Sequence, residues 1–125
     1  MKFQLKTSKY VDETLNELFS VTKITPNVLA RIAVALSISR DPSIPEEVTD
    51  RGGREFNRDT LTGEYDYIYK ALIAHHAGRE ISEEEFFPTL FNAHINRGIR
   101  ILANEYKYAK NLENLIRNLI DEKQG

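Results

Sequence analysis

The chain contains no cysteine, which excludes disulfides, thiol nucleophiles and thiolate metal sites together. It has no apolar run near the roughly 20 residues that a membrane-spanning helix needs. Its opening, MKFQLKTSKY, lacks the apolar segment of a secretory signal, so a cytoplasmic location is expected. No H-E-x-x-H pair and no glycine-rich phosphate-binding fingerprint occurs, since Gly52-Gly53 has neither a strand signal before it nor Lys-Ser/Thr after it. Internal repeats and low-complexity tracts are missing as well. What these absences leave is an ordinary chain of 125 residues, 41% hydrophobic and 29% charged. That length supports one domain with one core.

The net charge of −2 conceals an asymmetry. Residues 1–40 hold six Lys/Arg against three Asp/Glu, residues 41–88 five against twelve, and residues 89–125 six against four. The local balances are therefore +3, −7 and +2. A basic N-terminal third and an acidic middle can face different partners, so the small net charge does not argue against binding a polyanion.

Patterning predicts a mainly α fold, a compact helical domain. In residues 1–8 Lys2, Gln4 and Lys6 alternate with Phe3, Leu5 and Thr7, as in a short strand. Ser8 is a candidate N-cap for a helix carrying Val11, Leu15 and Leu18. Thr25-Pro26 opens a second helix, with Leu29, Ile32, Ala33 and Leu36 on one face, expected to stop before SRDPSIP. Residues 41–63 read as a long loop. Residues 64–125 read as helical, with Gly78 as a stop, a capping box at Ser82–Glu85, and a bend at Pro88. The spacing of Tyr65, Ile68, Tyr69, Leu72, Ile73 and His76 marks one helical face. The last stretch, from Thr89 on, carries an apolar stripe from Leu102 to Ile120, and as one straight helix of roughly 30 residues it would reach about 45 Å. It must either break near Lys107–Asn111 or reach a second chain.

No catalytic constellation is visible, and neither a metal nor a cofactor is expected. His75 and His76 point about 100° apart on a helix and cannot easily share an ion. His76 on a buried face and His75 at its margin is the simpler reading. Glu83, Glu84 and Glu85 are explained by helix capping. Arg51, Arg54 and Arg58 around the glycine pair have acids close by, which reads as a solvated loop. Arg97 and Arg100 are expected to make ion pairs with the acidic middle rather than to form an active site with His94. The aromatics Tyr65, Tyr67, Tyr69, Phe86, Phe87 and Phe91 read as core or interface.

The N-terminal basic set remains. A short strand, a helix, a tight turn and a second helix is the order of a ribbon-helix-helix unit, in which strands of two chains pair and present alternate side chains to DNA. Here the exposed strand face would carry Lys2, Gln4 and Lys6. With no strand partner evident in its own chain, the segment would need a second copy for its backbone hydrogen bonds.

Three stretches, FQLKTSKYVDETLNELFSVTKITPNVLARIAVALSI, GREFNRDTLTGEYDYIYKALIAHH and FNAHINRGIRIL, resemble the DndE family, small proteins of the DNA phosphorothioation system, which replaces a non-bridging phosphate oxygen with sulfur. The resemblance runs from about Phe3 to Leu102 and rests on overall pattern. It implies a mostly helical homotetramer that binds duplex DNA, preferably nicked, through surface lysines and without a cofactor. It also implies work beside an ATP-dependent sulfurtransferase-like protein, an ATPase and a cysteine desulfurase. Carried onto this chain, the DNA-contacting set is Lys2, Gln4, Lys6, Lys9 and Lys23, with Lys70, Lys107 and Lys110 as weaker candidates. The alternatives are a sequence-specific ribbon-helix-helix regulator with Gln4 reading base edges, or a protein-only scaffold that uses the acidic middle.

Overall fold

The computed structural model describes residues 3–124; Lys2 lies outside the described residues. In chain order the elements are β1 (Gln4–Lys6), α1 (Lys9–Thr22), α2 (Pro26–Arg40), β2 (Glu55–Asn57), α3 (Arg58–Leu61), a 3-10 turn (Gly63–Tyr65), α4 (Asp66–Ala77), a π-type turn (Glu85–Leu90), α5 (Phe91–Ala109) and α6 (Leu112–Gln124). The strand-helix-helix order at the start is present.

The strand's partner, however, comes from its own chain. β1 pairs antiparallel with β2, Gln4 opposite Asn57, Leu5 opposite Phe56 and Lys6 opposite Glu55. Leu5 and Phe56 enter the core from facing positions while their neighbours on both strands stay exposed. Further backbone bonds extend the pairing, from Arg58 N to Phe3 O, Thr7 N to Arg54 O and Gly53 N to Thr7 O. The expectation that β1 needs a second copy is therefore corrected. Its hydrogen bonds are taken up by a segment inside the stretch read as loop.

Helix ends follow their local chemistry. Ser8 Oγ accepts from Val11 N at 3.2 Å, capping α1. Pro26 occupies the first turn of α2, and α2 runs to Arg40, two residues into the SRDPSIP stretch. α4 ends on Gly78 at φ 75°, a left-handed backbone that glycine adopts without a Cβ clash. Glu85 N donates to Ser82 Oγ and Ser82 N to Glu85 Oε1, completing the expected capping box. Phe87 before Pro88 is extended (φ −137°, ψ 120°), so the helix restarts as α5. α5 stops at Ala109, Lys110 turns left-handed at φ 69°, and α6 returns Leu115 to the core. The long stripe thus breaks where expected.

The core centres on the crossing of α2 and α5, with Leu29, Ala33 and Val34 against Ile95, Ile99 and Leu102. Gly98 sits so close to Ala33 that a Cβ there would overlap the Ala33 carbonyl. Phe86, Phe87 and Phe91 are fully buried, and Tyr69 meets Phe91 edge-on at 5.6 Å. α4, by contrast, buries only Ile73 completely. Tyr65, Tyr67, Ile68 and Leu72 are exposed, so the face its spacing suggested as buried is largely outward.

Candidate functional site

One polar stripe of α5 fixes the basic N-terminal segment in place. Asn92 Nδ2 donates to Lys6 O at 2.9 Å, Ser8 Oγ donates to Asn96 Oδ1 at 3.0 Å, and the Arg100 guanidinium lies 4.2 Å from the Tyr10 ring centroid. Residues 92, 96 and 100 are successive turns of one helix face, and they meet residues 6, 8 and 10 in order. The cation on Tyr10 adds a modest attraction of about 0.5–1 kcal/mol at an exposed site. Between this stripe and β2, β1 is held with Leu5 inward and Gln4 and Lys6 outward.

Lys9 begins α1 on the same segment. Its backbone N–H donates to Asp50 Oδ2 at 3.0 Å, and Gly52 N donates to Asp50 Oδ1 at 2.8 Å. These two backbone bonds, Lys9's first, hold the Asp50 carboxyl below the usual range. The structure thus brings Gln4, Lys6 and Lys9 together at one end of α1. Lys23 lies at the opposite end, with its Nζ on Ser20 O, about 20 Å along the helix by its rise per residue. Lys70 is paired with Glu83 at 3.1 Å, and Lys107 and Lys110 sit at the far end of α5 from Asn92.

The arginines around the glycine pair separate into different roles. Arg54 pairs with Asp12 at 3.2 Å and donates to Asn16. Arg58 is buried over Phe86 and Phe87 and grips Asp66 and Glu83. Arg51 is exposed and lines a cavity of about 210 Å³ with Gln4, Lys6, Glu47, Thr89 and Asn92. Gly53 underlies this layout, because a Cβ there would collide with Ser8 O. The loop passes flat against the start of α1, and only glycine permits it.

A second polar cluster lies elsewhere and is structural. Arg97 donates from Nε to Ser37 Oγ (2.8 Å) and from Nη2 to Ser37 O and Asp41 O, tying down the C-terminal end of α2. It also pairs with Asp41 at 3.3 Å, as expected for a contact to the acidic middle, whereas Arg100 stacks on Tyr10 instead. Ser37 Oγ also shares a hydrogen bond with His94 Nδ1, 2.8 Å away. Ser37 and His94 are both buried, so this pair presents no accessible nucleophile. His76 meets His94 edge-on and bonds to Asp41 O through Nε2, while His75 is exposed. Among the described residues no three His, Asp or Glu side chains converge as a metal site requires.

Burial, reinforced by the charges of His76 and Arg97, pushes His94 down to about 3. In the unfolded chain it titrates near 6.5. Between these values the unfolded state binds the additional proton, so stability falls as pH drops below 6.5. The slope is at most about 1.4 kcal/mol per pH unit. Urea unfolding at pH 7 and pH 5 should show a loss of about 2 kcal/mol from this group, absent in His94→Phe. Equal dependence on pH in both proteins would refute the assignment.

The model of the family described as DNA sulphur modification protein DndE matches residues 4–110. Among solved structures, the chain is similar to DndE from Escherichia coli B7A, involved in DNA phosphorothioation modification, with a TM-score of 0.60 at 20% identity over 79% of this chain and 96% of that one. It is also similar to a DndE G21/24K mutant involved in DNA phosphorothioation, with a TM-score of 0.64 at 21% identity over 83% of this chain and 99% of the other. No curated protein matches the chain.

Proposed function

Since this chain belongs to the DndE family of DNA sulphur modification proteins, we propose that it is a DNA-binding accessory subunit of the phosphorothioation machinery, acting in the cytoplasm without catalysing a step itself. The observation that carries this reading is the docking of the basic N-terminal segment. Asn92, Asn96 and the Arg100–Tyr10 stack fix the backbone that displays Gln4, Lys6 and Lys9, so these side chains meet a phosphate backbone from set positions. Lys2 and Lys23 belong to the same proposed set, Lys23 contacting DNA at a second point along α1.

A few cations per chain bind weakly at physiological salt, and repeating them around a homo-oligomer multiplies the contact. The outward apolar face of α4, with Ile68 and Leu72 and with Tyr65 of the preceding turn in line with them, supports self-association, in the family as a tetramer. A nicked duplex bends more cheaply against such a rigid surface than an intact one, which favours it as the ligand. The pairing of β1 with β2 gives the strand a partner within its own chain, which weakens the motive for the ribbon-helix-helix regulator.

The test is a titration against intact and centrally nicked duplexes of one sequence at several salt concentrations, with oligomeric state followed by sedimentation. Tighter binding to the nicked duplex is expected, falling steeply with salt. The double change Lys6→Glu, Lys9→Glu should weaken it about tenfold or more, and Leu72→Glu should yield smaller species that bind less well. Unchanged binding by the lysine variant would overturn the residue assignment. No binding by the parent protein would move the reading to a protein-only scaffold.

A further inference from the structure

Two of the three arginines flanking Gly52-Gly53 are committed to the fold, and the third is not. Among the described residues Arg51 and Lys6 have no ion-pair partner, and both line the cavity of about 210 Å³ on the outer side of β1. Arg51 is also held in place. Asp50 binds the backbone N–H of Lys9 on one side and of Gly52 on the other, so the turn carrying Arg51 is anchored to the start of α1. Val48 and Pro88 supply the apolar part of the lining, and Asn92, 6% exposed, spends its Nδ2 on Lys6 O, so the donors left for an anion are the two cations, Gln4 and Thr89.

The charge and size of the cavity define what fits it. Among the lining side chains two cations oppose one acid, Glu47, a local excess of one positive charge, with Glu55 facing Lys6 across the strand pair outside the lining. That matches a phosphodiester monoanion better than a dianion. Gln4 and Thr89 add neutral donors beside the cations, and a forked guanidinium with a point-charge ammonium is a common pairing on phosphate oxygens. The volume lies below the roughly 300 Å³ at which whole small-molecule sites begin, so it suits one group of a polymer. We propose that this cavity seats one backbone phosphate of nucleic acid, held between Lys6 and Arg51. The proposal rests on the DNA-binding reading and adds to it Arg51 and Thr89 with a defined position.

The test uses the full chain, Arg51→Gln and, as a control, Arg117→Gln on α6. Arg51 is an exposed loop residue, so its replacement spares the core. On an intact duplex Arg51→Gln should bind about fivefold more weakly at low salt, with the salt slope lowered by about one for each protomer in contact. Arg117→Gln should match the parent. Dimethyl phosphate, a monoanionic diester, should move the side-chain amide NMR signals of Gln4 and Asn92 in the parent but not in Arg51→Gln, and should do so at lower concentration than inorganic phosphate. An unchanged slope in Arg51→Gln, or an equal fall in Arg117→Gln, would overturn the phosphate seat and leave the DNA reading standing. Amide shifts without duplex binding would retain the cavity as a small-anion site and overturn the DNA reading. Silence in both assays would overturn both.

Discussion

Gly98→Ala should destabilise the protein by about 1–3 kcal/mol, although alanine favours an isolated helix over glycine by about 1 kcal/mol. The added Cβ would occupy the position of the Ala33 carbonyl, and the obstacle is backbone, which cannot rotate aside as a long side chain would. α2 and α5 would have to separate, loosening the packing of Leu29 and Val34 against Ile95 and Ile99. Gly98→Val should cost more, roughly 3 kcal/mol or above, because it adds two further carbons at the same contact. Against a total stability of about 5–15 kcal/mol for a domain, that is a large fraction. Urea midpoints of the two variants measure the effect. An alanine variant as stable as the parent would show that the helices do not meet this closely. The consequence reaches the proposed interface, since α5 is the helix whose Asn92, Asn96 and Arg100 hold the basic segment.

Features written in local chemistry were legible from the sequence. Ser8, Pro26, Gly78 and the Ser82–Glu85 box each satisfy or end a helix through contacts within a few residues, so their meaning travels with the residue type. β2 was not legible. Three residues, Glu55 to Asn57, are too few for an alternation to stand out, and only the pairing with β1 shows that they form a strand. The face of α4 was read with the correct period and the wrong destination. Periodicity shows that Tyr65, Ile68 and Leu72 share a side, but not whether that side meets the core or the outside. The site divided in the same way. Alternation placed Gln4 and Lys6 on the outer side of β1, yet Arg51, Arg54 and Arg58 were equivalent on paper. Their separation depends on Asp12, Asp66 and Glu83, between 8 and 42 positions away along the chain. Arg51 joins Lys6 only through the fold.

Arg58→Met should cost roughly 3 kcal/mol, the lower end of the range for breaking a buried ion pair. The guanidinium is nearly fully buried, while its partners Asp66 and Glu83 keep partial contact with water, which moderates the penalty of leaving them unpaired. The grip is two-pronged on Asp66, Nε to Oδ1 at 2.8 Å and Nη2 to Oδ2 at 2.6 Å, so lysine cannot reproduce it. The pH dependence separates this account from simple loss of packing. The Arg58 hydrogen bond is the largest influence on both acids and holds them below their unfolded values of 3.8 and 4.5. Their contribution is therefore present above those values and lost as pH falls through the lower folded ones. The gap in stability between parent and Arg58→Met should narrow as pH drops below about 4. A gap that stays constant would show that the methylenes and ring stacking of Arg58 matter and its charge does not. Arg58 directly follows β2 and its backbone N–H bonds to Phe3 O, so the same variant should loosen the ladder that carries Lys6. DNA binding should then weaken in Arg58→Met even though the residue is too buried to meet a phosphate, and binding that survives undiminished would uncouple this anchor from the basic face.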